Sequence, residues 1–517
     1  MTTSATIVSA PGKVLVAGGY LVLDPAYQGL VLTTDSRFFT VVRSLKNAGD
    51  GTNIRVRSPQ LLDGVWQYYA AVAPDSAANA PHHKLKLSSV EKSPRNSYVE
   101  AALEYALGAT AVLAPKTHPL AGVSLDIIIV CSNDFYSQRE QLSKNGLDLT
   151  TESLRSLKPF CSTMSQMSKV HKTGLGSSAA MITSLVGAVM CHFNVASIPL
   201  TESSRNRSIL SAAETRSLEL IHNTAQLAHC VAQGKIGSGF DVCAAVWGSH
   251  TYKRFSPKVM DAVMKTSESG ESMPFSDRLL SVVQPPETHK WDYTVETGFL
   301  LPEGFQLLLA DIDAGSSTPK LVSKVLAWRQ SHKEQAHHLW TALAQKNNHI
   351  DVTLRQLYKL ARETPTGYQA ALRHHGQIRA SEWSTVKAQS QGGVDKFSEL
   401  FVSVYETFMG IRSSMREMSK LADVPIEPAE QTRLLDACMN VPGVIMAGVP
   451  GAGGYDAIFC IALSDAARKG VENVWQGWTE MSVGPLLSKE CGQGLYRVSS
   501  EANVAGLEGV LKSNPLE

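Results

Sequence analysis

His171-Lys172-Thr173-Gly174-Leu175-Gly176-Ser177-Ser178-Ala179-Ala180 joins a glycine-rich turn to a long apolar run. Gly174 and Gly176 let a backbone curve and approach a ligand closely. Ser177 and Ser178 then open a helix whose free N–H groups face back into the curve, a ready anion site with Lys172 beside it. Either serine can also place an oxygen on Mg²⁺. A serine-capped buried helix would use the same residues. No Asp, Glu, Lys or Arg occurs between Thr173 and Thr201, but the apolar part ends at Cys191. That run is too short to span a membrane and predicts a buried helix. The turn is not a Walker A loop: Gly234-Lys235 is followed by Ile236 and Gly12-Lys13 by Val14, where that motif needs Ser or Thr. A Gly-x-Gly-x-x-Gly run is also missing, which removes the main sequence support for a dinucleotide-binding fold.

Two further glycine-rich turns stand downstream. Gln233-Gly-Lys-Ile-Gly-Ser238-Gly239-Phe-Asp241-Val242 places an acid on a sharply turned backbone, and Gly451-Ala-Gly453-Gly454-Tyr-Asp456 lies between two predicted strands. Lys13, after Pro11-Gly12, falls between two short β-rich stretches. Singly, these read as an Asp-capped turn, a hairpin loop and a surface lysine. Jointly, anion-friendly backbones, two lysines and a turned Asp suit chemistry on a substrate carrying several phosphates.

Working outward, the 517 residues carry 48 Lys+Arg against 47 Asp+Glu, a formal charge of +1. That balance argues against a nucleic-acid-coating role and points to small-molecule partners. The eight cysteines include no Cys-x-x-Cys pair and sit mostly among apolar neighbours, as buried free thiols in a reducing compartment do. The first residues show no secretory signal, and a cytoplasmic location with no membrane anchor is expected. Strands are predicted at 6–16, 31–42, 125–130, 305–310, 444–447 and 457–462, and helices over 98–113, 179–191, 202–233 and most of 320–440. Residues 137–170 have no clear reading, and 256–297 read as a surface excursion. Sheet and helix alternate without regular βαβ spacing, so the predicted class is α+β.

The three signatures, in order, are similar to those of the GHMP small-molecule kinases: Ala10-Pro-Gly-Lys-Val-Leu-Val-Ala-Gly-Gly-Tyr20, Gly174-Leu-Gly-Ser-Ser-Ala179 and Gly451-Ala-Gly-Gly-Tyr-Asp456. Tyr20-Leu-Val-Leu-Asp24, Asn133-Asp-Phe-Tyr-Ser137, the 233–241 turn and Pro425-Ile-Glu-Pro428 resemble the branch, fungal members above all, that acts on phosphomevalonate. The resemblance implies a two-lobed α+β kinase: residues 1–270 as an N-terminal lobe like ribosomal protein S5 domain 2, and 271–517 as a GHMP-like C-terminal lobe, with the boundary within 250–300. It implies ATP and Mg²⁺ as cofactors and (R)-5-phosphomevalonate as the acceptor, in the mevalonate route to isoprenoids and sterols. No nucleic acid, membrane or obligate protein partner is expected. Another kinase of the superfamily, such as one acting on mevalonate, or a non-catalytic nucleotide-binding regulator, are the alternatives.

Carried over by motif, Lys13 and Asp241 face the transferred phosphoryl group. Lys172, Gly174, Leu175, Gly176, Ser177, Ser178 and Ala179 wrap the ATP phosphates, with Ser177 or Ser178 reaching Mg²⁺. Asn133 and Asp134 lie toward the nucleotide. Ser238, Gly239, Gly453 and Gly454 shape the acceptor side. A dianionic phosphate and a carboxylate ask for further cations and hydroxyls, and Arg95, Arg412, Ser316, Ser317 and Thr318 are the candidates. Two departures stand out. Gly19 replaces the Glu that many relatives carry after the first lysine, and where mevalonate kinases have a metal-binding Glu upstream of the matching acid, Cys230 stands here with His229 beside it. Asp241, itself negative, is expected mainly to orient Lys13 or a water.

Overall fold

The computed structural model describes residues 5–46, 51–74, 83–90, 94–114, 123–200, 210–264, 275–313, 318–385 and 396–512. Two sheets organise them. The larger has nine strands: β1 (Thr6–Ala17), β2 (Gln28–Lys46), β3 (Thr52–Arg57), β4 (Val65–Pro74), β5 (His83–Ser89), β6 (Val123–Cys131), β7 (His250–Lys253), β8 (Thr294–Thr297) and β13 (Tyr496–Val498). Its main path runs β13-β1-β2-β6-β3-β4-β5, with β7 and β8 joined through the near end of β2. The smaller has four antiparallel strands in the order β10 (Val444–Gly448), β11 (Ala457–Ala462), β9 (Gln306–Ile312) and β12 (Val483–Leu486).

The helix Ser177–His192 is buried from Ala179 to Cys191 and packs on β1 and β2. Helices Ser97–Leu113 and Ala212–Gln233 flank it, so an apolar stretch that hydropathy alone might place in a membrane is the centre of the first core. Among the described residues no helix is long and apolar enough to cross a membrane. Around the smaller sheet, the helices Lys333–Glu363 and Lys396–Ala422 pack along each other.

The predicted strands and the α+β class are present. Three differences have simple causes. The 256–297 stretch is not only surface: β8 pairs with β7, and Met260, Leu279 and Trp291 are buried. Four-residue strands carry too little alternation to be read from sequence. The helix expected from residue 202 is described from Ala212, where Ser211 and Glu214 form a capping box. The 137–170 stretch holds two one-turn helices, Arg139–Lys144 and Thr151–Ser156. Residue 270 lies outside the described residues; the first sheet's strands reach Thr297, and the second sheet begins at Gln306.

Candidate active site

The three glycine-rich turns meet at β1. The β1–β2 register shifts between Pro11, opposite Arg37, and Lys13, opposite Thr33, with the extra residues bulged on β2. Its backbone N–H donates to Leu175 O at 2.9 Å, and its Nζ donates to Gly174 O at 2.9 Å. Strand and glycine-rich loop are thus clamped through one lysine. Gly176 has φ +78°, and a Cβ there would come within 2.9 Å of Lys13 Cε. Glycine at this position therefore serves both the left-handed turn and the close passage of the lysine stem.

Asp241 occupies the first turn of the helix Phe240–Trp247, after Gly239 at φ +88°. Tyr252 Oη donates to Ser238 O at 2.8 Å, and Arg254 donates to Gly237 O at 2.8 Å and Ile236 O at 3.1 Å, so the turn is held from behind. The Lys13 Nζ also lies 5.6 Å from the centre of the Phe240 ring. Burial pushes the Lys13 pKa down, and the charge of Asp241 offsets only part of that fall. Lys13, Thr173, Gly174, Pro450 and Ala457 line the space where the two sheets face each other.

The third turn is tied to the first motif. Gly451 N–H donates to Leu15 O at 3.2 Å, and Tyr20 Oη donates to Ala452 O at 2.7 Å. Gly454 N–H donates to Ile426 O at 2.8 Å. A Cβ on Gly19 would lie 2.4 Å from Gly451 O. The absence of Glu at position 19 therefore has a steric reason here: the third loop occupies the place of any side chain.

Ser178 is partly exposed at the start of its helix, whereas Ser177 is 8% exposed. The Ser178 Oγ lies 3.1 Å from His229 Nε2, a contact sequence reading missed. His229 is pushed toward a lower pKa by burial, against the pull of Asp241. Its neighbour Cys230 points into the core and accepts from Gln226 Nε2 at 3.3 Å. Lys172 pairs as an isolated bridge with Tyr136 and has its pKa lowered by burial.

Several expected residues have other partners. Asn133 Oδ1 accepts from Cys161 N at 2.8 Å, and its Nδ2 donates to Lys158 O at 2.9 Å. The Asp134 carboxylate is buried and accepts from Ser36 at 3.2 Å and Ser488 at 2.6 Å. Both side chains are thus committed to the protein rather than turned to a nucleotide. Their link to the loop is indirect: Thr173 Oγ1 donates to Asp134 O, and Thr173 N–H to Phe135 O at 3.3 Å.

Arg412, expected as an acceptor-side cation, is held in an acid cluster at the wall of a small cavity also lined by Gly18, Gly19 and Gly451. It is 2% exposed, bonded to Glu427 at 2.7 Å and 3.1 Å and to Asp436 at 2.9 Å. Arg95 is exposed and paired with Glu100 at 2.7 Å. Ser316 and Ser317 lie outside the described residues, and Thr318 begins the helix Thr318–Ser331.

A second contact fastens the sheets beside the loop. Arg139 donates to Asp311 Oδ2 at 3.4 Å and Asp311 O at 3.1 Å, and also reaches Ser482. His171, next to Lys172, lies 3.7 Å from Asp311 and 3.5 Å from Asp313. Residues 136–139 and 171–172 of the first lobe therefore hold the end of β9.

Residues 405–478 match the family model described as GHMP kinases C terminal. The chain is 36% identical over 537 residues to the peroxisomal phosphomevalonate kinase of Arabidopsis thaliana, covering 99% of this chain and 100% of that one. It is 33% identical to phosphomevalonate kinase erg8 of Aspergillus fumigatus, with 94% of each chain covered. The fold is shared with the Streptococcus pneumoniae phosphomevalonate kinase solved with phosphomevalonate and AMPPNP, at TM-score 0.55 and 13% identity, over 94% of this chain and 99% of that chain. With sequence likeness at this level running end to end, the chain belongs to the phosphomevalonate kinase family.

Proposed function

We propose that this chain transfers the γ-phosphoryl group of ATP to (R)-5-phosphomevalonate, giving ADP and (R)-5-diphosphomevalonate. The observation that carries the reading is the meeting of Lys13, Asp241 and the Gly174–Ser178 loop in one cleft, in a chain whose relatives bear that name.

The nucleophile in this reaction is a phosphate oxygen. Its second pKa is about 6, so near neutral pH most of it is already ionised, and a strong base has little to remove. The harder task is to bring a dianion against the γ-phosphate. Lys13 supplies positive charge at that point, and the N-terminal N–H groups of Ser177–His192 cradle the ATP phosphates. Asp241 supports Lys13 electrostatically: its negative charge favours the protonated amine that burial disfavours. The Asp134 and Phe135 carbonyls position Thr173, and through it the loop.

The donor set fits Mg²⁺. Ser178 and Asp241 offer hard oxygens, and among the described residues no group of three or more His, Cys, Asp or Glu forms a dedicated metal cage. Mg²⁺ commonly takes most of its ligands from phosphates and water. Bound there, it would neutralise phosphate charge.

On the acceptor side we assign Lys13, Ser238, Gly239, Gly453 and Gly454, with Arg95 as a further cation. The lobe boundary is placed between Thr297 and Gln306, with the final segment returning to the first lobe through β13. Eight free thiols suit a reducing, cytoplasmic setting, and no protein partner is required by this reading.

A product assay by ³¹P NMR tests it. Purified full chain with Mg·ATP should convert phosphomevalonate to diphosphomevalonate and leave mevalonate untouched. Phosphorylation of mevalonate with phosphomevalonate ignored would assign another kinase of the superfamily. ATP binding without transfer to either would assign a regulator.

A further inference from the structure

His229 has no part in the mechanism above, yet it stands against two of its groups. It belongs to the helix Ala212–Gln233, which runs behind both the nucleotide loop and the Asp241 turn. Its side chain is 3% exposed. Three polar groups converge on one atom, Nε2: Ser178 Oγ at 3.1 Å, Gln233 Nε2 at 2.9 Å and Asp241 Oδ2 at 3.9 Å.

The roles can be sorted by chemistry. A carboxylate only accepts and an amide nitrogen only donates, while a hydroxyl does both. The Gln233 amide nitrogen faces Nε2, so Nε2 accepts and the ring hydrogen sits on Nδ1. Asp241, at 3.9 Å, is beyond hydrogen-bond distance and asks for no hydrogen from the ring. The Ser178 hydroxyl shares the single lone pair of that nitrogen with the Gln233 amide, and turns its hydrogen inward. Its lone pairs are then directed away from the ring, toward the partly exposed side of the loop. A serine left to rotate freely would spend part of its time with that hydrogen aimed at the cleft, where it would oppose a cation.

We propose that His229 is a positioning residue, the acceptor that fixes the Ser178 hydroxyl so that its oxygen is presented to the divalent cation of the nucleotide complex. Gln233 contacts the same ring nitrogen and fixes the ring orientation. The inference rests on the proposed role of Ser178 toward Mg²⁺, and the experiment separates the two.

Mn²⁺ is the probe, titrated by EPR into the full chain with a non-hydrolysable ATP analogue. Loss of an outer partner to a metal ligand typically costs about 10- to 100-fold in metal affinity. His229→Leu should therefore weaken Mn²⁺ retention about tenfold, leave metal-free nucleotide binding within about twofold, and lower kcat with little change in the acceptor KM. His229→Gln, whose amide oxygen can accept, should recover much of the loss. Ser178→Ala should lose at least as much as His229→Leu, and the double variant no more than Ser178→Ala alone, because both act on one contact. Mn²⁺ loss in Ser178→Ala but not in His229→Leu overturns the role of His229 and leaves that of Ser178. Retention in both overturns the metal role of Ser178 and this inference with it. Should His229→Leu fail to fold, His229→Asn, too short to reach Ser178, replaces it under the same two readings.

Discussion

Lys13 and Arg412 are two basic side chains held within the protein, and they are treated in opposite ways. Arg412 is enclosed, and two of its three guanidinium nitrogens find acids: Glu427 takes bonds from Nε and Nη2, and Asp436 takes another from Nη2, while Nη1 faces the Met409 sulfur. Glu427 is in turn bonded by Arg416 at 2.9 Å and Thr432 at 3.2 Å. Burial pulls the Arg412 pKa down, but these acids outweigh it and the net shift is upward. Lys13 is only partly enclosed; its Nζ donates to a neutral carbonyl, and the balance of burial against Asp241 runs downward. A matched buried charge holds a structure together. A cation left short of negative charge in a cleft between anion-binding turns is arranged for an anion that arrives with the substrate.

The largest expected effect is on Lys13→Met. Activity should fall by about 10³-fold or more, equivalent to roughly 4 kcal/mol of barrier, with no recovery at high pH. A loss under about tenfold would mean that the uncompensated charge is not what the reaction uses.

Asp241→Asn should be milder, on the order of tenfold near neutral pH, since the acid acts through Lys13. Its pH profile carries the sharper information. Burial already depresses the Lys13 pKa and Asp241 partly restores it. Removing that charge lowers the Lys13 pKa further, so the lysine loses its proton at a lower pH. The alkaline limb of kcat should therefore move to lower pH in the variant, measured from about pH 6 to 9.5 with Mg²⁺ saturating. An unmoved limb would separate Asp241 from Lys13.

The smallest effect is on stability, at a buried acid with no site around it. Glu490 is pushed up to about 7 by burial, and its Oε1 has no hydrogen-bond partner. Its folded pKa exceeds the unfolded one, so the folded state holds the proton more tightly. Stability then falls as pH rises from about 4.5 to 7 and levels off above. Glu490→Gln should raise Tm at pH 8 by a few degrees and change little at pH 4. An equal effect at both values would show that folding leaves the Glu490 pKa unshifted.

How much of this was legible differs by kind of signal. The glycines announced the loops, because positive φ at Gly174, Gly176, Gly239, Gly451 and Gly453 is a local demand written in residue type. Lys13 and Asp241 were legible through the order of three motifs. Side-chain direction was not: Asp134 sits beside the loop in sequence logic, yet the bend at Ser36 and the returning segment at Ser488 capture its carboxylate. Arg412 read as a free cation although its partner was within the quoted Pro425-Ile-Glu-Pro428. The pairing needs a helix end to fold back over 15 residues, which no local rule supplies. His229, on a buried helix face, looks like a core histidine until Ser178 and Asp241 are brought to it. Strand β13 joins β1 from the far end of the chain, a pairing set by tertiary packing alone.

The contrast between the two cations can be measured directly by replacing each with Met and following denaturant unfolding of the full chain without ligands. Arg412→Met leaves Glu427 buried with much of its pairing lost and should cost about 3–5 kcal/mol. Lys13→Met removes a charge that burial penalises and should leave the protein as stable as the parent or slightly more so. If Lys13→Met loses stability on the same scale as Arg412→Met, Lys13 is a matched structural charge like Arg412, and the account of an under-paired cation awaiting substrate is wrong.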